Sequence, residues 1–207
     1  MDDRLTIRSL FATPIYVAAL GGRGTGTLNE RLERETLQLQ RDDVAGLRWS
    51  RANYPGGYTS YGSVSRLQHV SPTFDALRAR LDTHVARFAR ALNFDLRGRR
   101  LQMTDCWVNV MPRGVTHGLH LHPLSTISGT YYVRVPKGAP GLKFEDPRLE
   151  RFMAAPPRRG RHAADAWVVE PAQAGRVILF ESWLRHEVVA NRTASRRISI
   201  SFNYGWF

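Results

Sequence analysis

The strongest constraint on the fold lies after residue 100, where short apolar runs alternate with turn-forming residues. Eight runs rich in β-branched and aromatic side chains are separated by Pro, Gly and Asp, at residues 101–111, 118–122, 126–135, 141–146, 166–171, 176–182, 186–190 and 196–207. Each run has the length of one β-strand. Many short strands that follow helical segments predict a mainly β fold, a sandwich or jelly roll with N-terminal helices packed outside the sheet.

Two segments before residue 100 have helical patterns. Residues 27–40 are mostly good helix formers, with leucines among charged residues. A second helix is predicted from Pro72, because Ser71 is a good N-cap and apolar residues then recur at three- and four-residue steps. The Gly- and Tyr-rich segment 52–63 between them is either a substrate lid or a long connection.

Composition limits the class of protein. A chain of 207 residues with one cysteine, Cys106, is long enough to bury a core without disulfides, and nothing in it indicates an oxidising compartment. The apolar segment 10–20 is preceded by acidic residues, so we expect a first strand there rather than a signal peptide. No run reaches the ~20 apolar residues of a membrane span. These features predict a cytoplasmic protein with a single domain over 1–207, in which 1–99 form a helical buttress and the first strands and 100–207 form the β core.

The charge is strongly positive, with 30 Lys and Arg against 18 Asp and Glu, a formal net charge of +12 and a pI near 10.9. Such a field attracts nucleic acid and other anions. However, 28 of the basic residues are arginines spread along the chain, whereas nucleic-acid-binding arms come as local blocks of charge. The net charge therefore permits nucleic acid as a partner, but the even distribution of the arginines does not favour it.

Three of the seven histidines have the spacing of a metal site. His120 and His122 are two residues apart on a predicted strand, so their side chains point to the same face. His186 begins a later strand and supplies a distant third nitrogen, an arrangement that leaves coordination positions open for substrate. The spacing does not separate iron from zinc or manganese, and it is also compatible with ordinary hydrogen-bonded histidines. His117 is an odd number of residues from His120, which predicts that it points to the opposite face of the strand.

Three segments carry a family resemblance: WVNVMPRGVTHGLHLHPLSTISGTYYVRV at 107–135, LKFEDPR at 142–148 and GRVILFESWLRHEVVANRTASRRISISFN at 175–203. They resemble the 2-oxoglutarate/Fe(II)-dependent oxygenase superfamily, and more narrowly an uncharacterised bacterial and phage branch with HxHP, SGxYYV, FxDPR and RISISFN motifs. The resemblance implies a double-stranded β-helix, which is a cupin-like jelly roll. It also implies an enzyme that uses Fe(II), 2-oxoglutarate and O2 to hydroxylate a substrate, with decarboxylation of 2-oxoglutarate to succinate.

The resemblance assigns the three histidines to iron. An upstream pattern shared with the alkylation-repair branch makes His120 the first ligand. His122 then occupies the place where the superfamily usually has Asp or Glu, and His186 is the distal histidine. No catalytic residue is implied beyond this metal centre. Asp146 is a candidate for the missing carboxylate, either as a ligand or through a ligand.

The resemblance also assigns a site for 2-oxoglutarate. Its keto acid end chelates iron, and its far carboxylate needs a cation, for which an arginine fork is well shaped. Arg197 in RRISIS stands where the superfamily places this residue, and Ser199 lies on the same face of the strand. Tyr132 is implied as a hydroxyl donor to 2-oxoglutarate, whereas Tyr131 points the other way into the core. Asn109 is implied to orient groups at the iron, and packing or backbone hydrogen bonds are the alternatives for Tyr132 and Asn109.

Two other functions stay open. A jelly-roll module that binds a metal or a small molecule without turnover fits the missing carboxylate. A nucleic-acid-directed oxygenase or binding protein fits the net charge and the match to the repair branch. The motifs do not specify the substrate, and candidates range from a free amino acid to a protein side chain or a nucleobase. The predicted pocket walls are residues 54–61 and 152–162.

Overall fold

The structure is a computed structural model that describes residues 10–154, 156 and 166–207. Ten strands lie in these ranges: β1 (Tyr16–Ala19), β2 (Tyr58–Thr59), β3 (Leu101–Met111), β4 (His117–His120), β5 (Ile127–Arg134), β6 (Leu142–Glu145), β7 (Trp167–Glu170), β8 (Arg176–Glu181), β9 (His186–Val188) and β10 (Arg197–Trp206). Three α-helices join them: α1 (Thr25–Asp42), α2 (Val44–Asn53) and α3 (Pro72–Ala91). None of the described helices is long and apolar enough to cross a membrane.

The strands form two antiparallel sheets. The larger sheet has six strands in the order β1-β8-β5-β10-β3-β2, and the smaller has four in the order β4-β9-β6-β7. One apolar cluster joins them, with Tyr132 and Phe180 from the larger sheet and Phe144 and Val188 from the smaller. Each of the eight predicted runs after residue 100 forms a strand. The prediction of a mainly β jelly roll is confirmed.

Side chains alternate along β10, so this strand has two chemically different faces. The even-numbered residues pack in the core that the larger sheet shares with the helices: Ile198, Ile200, Phe202 and Tyr204. The odd-numbered residues line cavities between the two sheets: Arg197, Ser199, Ser201 and Asn203. The polar, odd-numbered side chains of β10 therefore lie between the two sheets, where a ligand can reach them.

The helices contribute to the core on the other face of the larger sheet. Leu32 of α1 and Leu77 of α3 are fully buried in the cluster that contains the even-numbered residues of β10. Helix α3 begins as predicted, because the Ser71 hydroxyl accepts a hydrogen bond from the Thr73 amide at 3.1 Å and so caps the first turn. Helix α1 extends two residues beyond the predicted segment 27–40 at each end.

The sequence pattern does not predict α2, a ten-residue helix with weak apolar periodicity. Its N-cap is Asp43, whose carboxylate accepts hydrogen bonds from the Gly46 amide at 2.8 Å and from the Tyr58 hydroxyl at 2.9 Å. Segment 52–63, expected as a lid or a connection, contains the end of α2 and the two-residue strand β2, which pairs with β3. These contacts fix the segment against the edge of the larger sheet, beside β3.

Candidate metal and cosubstrate site

Three histidines meet at one end of the space between the sheets. His120 ends β4 and pairs directly with His186 at the start of β9, and His122 follows two residues after His120. The ring centroids of His120 and His186 are 4.3 Å apart, and that of His122 lies 5.1 Å and 5.2 Å from them. One nitrogen of each ring lies within 4.8 Å of the others, which is close enough to share a metal ion.

Hydrogen bonds to backbone carbonyls orient two of the three rings. His120 Nδ1 lies 2.7 Å from the Gly118 carbonyl oxygen, and His186 Nδ1 lies 2.9 Å from that of Leu184. A carbonyl oxygen only accepts, so each Nδ1 carries the proton and each Nε2 keeps its lone pair for a metal. The backbone amide of His122 donates to the Ser182 carbonyl at 3.0 Å, which ties this residue to the turn before β9.

The histidines are held in the neutral state. Burial, reinforced by the neighbouring imidazoles, lowers the pKa of His122 and of His186 to about 3, and burial also lowers the pKa of His120. At neutral pH the three rings therefore carry no charge, and neutral imidazole is the form that binds a metal.

The predicted orientation of His117 is wrong. The pairing of β4 with β9 is irregular between His117 and His120, and this irregularity breaks the alternation from which the orientation was predicted. The His117 ring stacks on that of His120 with centroids 4.7 Å apart and an angle of 18° between the planes, and its other neighbour is Tyr54 at 5.2 Å. His117 therefore supports the first ligand as a packing partner.

The hypothesis that Asp146 supplies a carboxylate ligand is also wrong. Its carboxylate lies 2.9 Å from Arg148 and 3.0 Å from Arg151, and Arg148 lowers the pKa of this carboxyl. Asp146 lines a different cavity, on the side of the barrel that includes Phe11 and Val168. In the described part of the chain, the group of close metal-binding side chains is made of histidines alone.

Arg197 is buried in an inner chamber that also borders on the three histidines, with 3 % of its surface exposed. Its Nη1 donates to the Ser199 hydroxyl at 3.2 Å, and its guanidinium carbon lies 4.9 Å from the centre of the Tyr132 ring. Among the residues that the structure describes, no Asp or Glu forms an ion pair with Arg197. The neighbouring Arg196, which directly precedes β10, is exposed.

The two tyrosines of β5 point in opposite directions, as predicted. Tyr131 lies in the core shared with the helices, and its hydroxyl donates to Asn29 Oδ1 at 2.9 Å. Tyr132 lies in the core between the sheets, beside Arg197. Burial raises the pKa of Tyr132, and the nearby Arg197 opposes that rise. The Tyr132 phenol is therefore a neutral hydrogen-bond donor.

Three buried polar atoms in this region have no hydrogen-bond partner among the described residues: Asn109 Oδ1, Tyr132 Oη and Arg197 Nε. Asn109 uses only its amide nitrogen, which donates to the Ser201 hydroxyl at 3.0 Å. Buried polar groups without partners are rare, and a buried cation without an anion is costly. Arg197 Nε and Tyr132 Oη are hydrogen-bond donors that a carboxylate ligand would satisfy, whereas Asn109 Oδ1 is an acceptor. With these two donors beside the histidines, the residues present fit 2-oxoglutarate.

A second, outer chamber of about 180 Å³ also borders on His120 and His122. Three aromatic side chains follow one another along its wall toward the metal site, with centroid distances of 6.0 Å from Trp49 to Tyr61, 5.1 Å from Tyr61 to Trp107 and 5.8 Å from Trp107 to His122. The remaining lining residues are Asn53, Tyr54, Thr59, His117, His120, Leu121, Pro123 and Asn203. The outer chamber therefore provides room for a substrate next to the candidate iron site.

Some of these residues follow from the sequence and others do not. Segment 54–61 is a predicted pocket wall, and Tyr54, Thr59 and Tyr61 do line the outer chamber. The second predicted wall, 152–162, lies mostly outside the described residues. Trp107 and Asn203 were missed, although the alternation that places Asn109 and Arg197 inside the barrel also places them there. Trp49 has no such signal, because its helix was not predicted.

Comparisons with known proteins agree with this site. Residues 105–203 match a protein-family model described as "Putative 2OG-Fe(II) oxygenase". No curated protein matches the chain. The matched residues include all three segments that carry the family resemblance, and the resemblance to the 2-oxoglutarate/Fe(II)-dependent oxygenase superfamily is confirmed.

Solved structures share the fold. A prolyl-4-hydroxylase from Pseudomonas putida superposes with a TM-score of 0.62 at 15% identity, covering 93% of this chain and 92% of that one. HygX from Streptomyces hygroscopicus, solved with nickel, 2-oxoglutarate and hygromycin B, gives 0.62 at 16% identity, with coverages of 93% and 83%. AviO1 from Streptomyces viridochromogenes Tue57 gives 0.60 at 15% identity, with coverages of 93% and 90%. At these identities the likeness shows a common fold.

Proposed function

We propose that this chain, whose residues 105–203 match a family model of 2OG-Fe(II) oxygenases, is an oxidoreductase that hydroxylates an organic substrate with Fe(II), 2-oxoglutarate and O2. One observation carries the proposal: the same inner chamber borders on the three histidines and on Arg197, a buried arginine without an ion pair in the described chain. A ligand that chelates a metal through one end and presents a carboxylate at the other fits this arrangement.

His120, His122 and His186 are the proposed iron ligands. Bound iron supplies the oxidising chemistry, in which O2 and 2-oxoglutarate are consumed and succinate is released. The three neutral imidazoles hold the metal and leave further coordination positions open. Both chambers border on His120 and His122, so a ligand in either chamber can reach the metal centre.

A set of three neutral imidazoles changes the electrostatics of the site. The carboxylate ligand that is usual in the superfamily would neutralise one positive charge of Fe(II), whereas three neutral imidazoles neutralise none. The dianion 2-oxoglutarate then provides the negative charge. Binding of metal and of cosubstrate is therefore expected to be strongly coupled, each raising the affinity of the other by the same factor.

The inner chamber is the proposed 2-oxoglutarate site. Arg197 binds the far carboxylate, and Ser199, which already accepts from Arg197, adds its hydroxyl. Tyr132 donates its phenol proton to the same carboxylate, which gives the unpartnered hydroxyl an acceptor. Asn109 keeps its amide nitrogen on Ser201 and offers its unpartnered oxygen to the groups at the metal. These donors select a dicarboxylate over a monocarboxylate.

The outer chamber is the proposed substrate site, for a small molecule or a side chain that reaches in from the surface. A metal-binding module without turnover is the alternative, and product formation separates the two functions.

A cytoplasmic location and a function that does not require nucleic acid also stay predictions. The same holds for the division of one domain into a helical buttress over 1–99 and a catalytic β core over 100–207.

The test measures succinate formed from 2-oxoglutarate in air by the protein with Fe(II), without added substrate. We expect slow succinate release by the wild type that exceeds a metal-free control. Arg197→Ala is expected to lose at least tenfold of this rate at low 2-oxoglutarate, whereas Arg196→Ala, an exposed neighbour, keeps it. A wild type that makes no succinate above the control, or an Arg197→Ala variant as active as Arg196→Ala, would contradict the proposal.

A further inference from the structure

The outer chamber contains no charged side chain among its described lining residues. Because 23 % of the chain is Asp, Glu, Lys or Arg, about three of the twelve lining residues would be charged if they were an average sample. The described wall of this chamber in a strongly basic protein therefore has no acidic residue, no lysine and no arginine.

Apolar and aromatic groups dominate its wall. Trp49 and Tyr61 meet edge to face with an angle of 65° between their rings, and Tyr61 and Trp107 do the same at 62°. Leu121 and Pro123 complete the rim next to His122. Such a wall suits a flat or apolar ring, because the ring gains contact with the aromatic side chains and its surface is removed from water.

Asn203 is a polar residue in this wall whose hydrogen bonding is incomplete. Its Oδ1 accepts from the Ser128 hydroxyl at 2.8 Å, and Ser128 is in turn 2.8 Å from the Ser182 hydroxyl. This chain of hydroxyls fixes the amide plane. The Asn203 Nδ2 donates to no group that the structure describes, although the residue is 94 % buried and lines the chamber. The amide therefore offers a fixed donor to whatever enters.

Asn203 and the cosubstrate arginine are on the same strand face but serve different chambers. They are six residues apart on β10, which corresponds to about 20 Å along a strand. Arg197 lines only the inner chamber and Asn203 only the outer one. A ligand bound to Asn203 is therefore separate from the 2-oxoglutarate held by Arg197.

We propose that the outer chamber takes an uncharged substrate group, an apolar ring that bears a hydrogen-bond acceptor, and that Asn203 selects it by donating from Nδ2 to that acceptor. That the bound molecule is a substrate rests on the proposed function, whereas the binding preference itself does not require turnover. An anion finds no basic side chain among the described residues of this wall, and a cation finds no carboxylate. Either ion would lose its hydration without a protein counter-charge.

The test uses three probes of nearly the same shape: benzamide, which is neutral, benzoate, which is an anion, and benzamidinium, which is a cation. Each is titrated into protein that holds Zn(II) and saturating 2-oxoglutarate, and binding is followed by tryptophan fluorescence, because Trp49 and Trp107 line the chamber. Benzamide is expected to bind at least tenfold more tightly than either ion. Equal or tighter binding of benzoate or benzamidinium, or no binding of benzamide, would overturn the proposal.

The role of Asn203 is tested with two variants and a matched control. Asn203→Ala and Asn203→Asp both remove the donor, and each should weaken benzamide binding about five- to tenfold, the usual effect of one lost hydrogen bond in a buried site. Asn203→Asp keeps the shape and the acceptor for Ser128, so it stays informative if the alanine variant does not fold. Asn53→Ala is the control, because Asn53 lines the same chamber but donates to the Trp49 carbonyl at 2.9 Å.

Affinity for 2-oxoglutarate is measured on the same samples. If 2-oxoglutarate binds and both Asn203 variants bind benzamide like the wild type, the inference is wrong and the proposed function stands. If 2-oxoglutarate does not bind, the proposed function fails. The order of probe affinities measured on metal-free protein, in which no open metal position attracts benzoate, still supports or overturns the inference about the chamber.

Discussion

The guanidinium of Arg197 lies over the ring of Tyr132, with 4.9 Å between the guanidinium carbon and the ring centre. This cation–π contact offsets part of the cost of a buried charge. It leaves Arg197 Nε and the Tyr132 hydroxyl without hydrogen-bond partners in the described chain. The pair is thus arranged for an oxygen-rich anion that approaches both groups at once.

The first prediction concerns stability with and without cosubstrate. Arg197→Met removes an unpaired buried cation and fills its volume, so the free energy of unfolding of the ligand-free protein should rise by about 1–3 kcal/mol. The same variant should lose the stabilisation by 2-oxoglutarate, which for the wild type is about 2.7 kcal/mol at a ligand concentration of a hundred times Kd. Urea unfolding with Zn(II), with and without 2-oxoglutarate, measures both.

Arg196→Met is the control for this experiment, because it removes the exposed arginine that directly precedes the same strand. It should keep the full stabilisation by 2-oxoglutarate. If Arg197→Met keeps it as well, Arg197 does not bind the cosubstrate.

The local sequence pattern was sufficient to predict the strands after residue 100 and the direction in which several of their side chains point. The alternation of a strand depends only on neighbouring residues, so it correctly places Arg197 and Tyr132 inside the barrel and Tyr131 on the helix side. Helix α3 is predicted for a similar reason, since Ser71 and a regular apolar stripe are local signals.

Features that depend on pairing or packing were not predicted. The orientation of His117 results from an irregularity between β4 and β9, which only the register of the two strands determines. Helix α2 lacks a strong apolar stripe and is stabilised by contacts of its cap Asp43 with β2. The meeting of Trp49 with Tyr61 and Trp107 depends on that helix, so the aromatic wall could not be found from the sequence.

The second prediction concerns the metal ligands. His122→Ala should weaken Co(II) binding by about a hundredfold or more, because loss even of groups that only support a metal ligand typically costs 10- to 100-fold. Absorption of bound Co(II) measures the affinity. His69→Ala is the matched control, since His69 is exposed and far from the trio in the sequence. Equal affinities of the two variants would exclude His122 as a ligand.

The third prediction concerns pH. The folded-state pKa values of His117, His122 and His186 are about 3, below the unfolded value of about 6.5, so between these limits the unfolded chain binds more protons. The free energy of unfolding of the metal-free protein should therefore fall as the pH drops from 6.5, by about 1 kcal/mol per unit for each histidine. Denaturant unfolding from pH 7 to pH 5 measures the slope. His117→Phe should make it shallower, and an unchanged slope in this variant would contradict the account.

The fourth prediction tests the packing beneath the inner chamber. A Cβ at Gly129 would lie 2.6 Å from the ring of Phe202 and 2.7 Å from the carbonyl oxygen of Ile178, which is backbone and yields little. Gly129→Ala should lower the free energy of unfolding by about 1–3 kcal/mol. Gly26→Ala in α1 is the control, because its Cβ meets nothing within 4 Å, and it should cause no loss. Equal effects of the two variants would show that the strands around Gly129 are less closely packed than described.

The central claim is that one molecule of 2-oxoglutarate joins the histidine trio to Arg197. The most direct measurement is the visible absorption spectrum of the Fe(II) protein under anaerobic conditions while 2-oxoglutarate is added. We predict a weak charge-transfer band that saturates with 2-oxoglutarate in the wild type and in Arg196→Ala, and that requires much higher concentrations in Arg197→Ala. A wild-type protein that shows no band at saturating 2-oxoglutarate would contradict the claim.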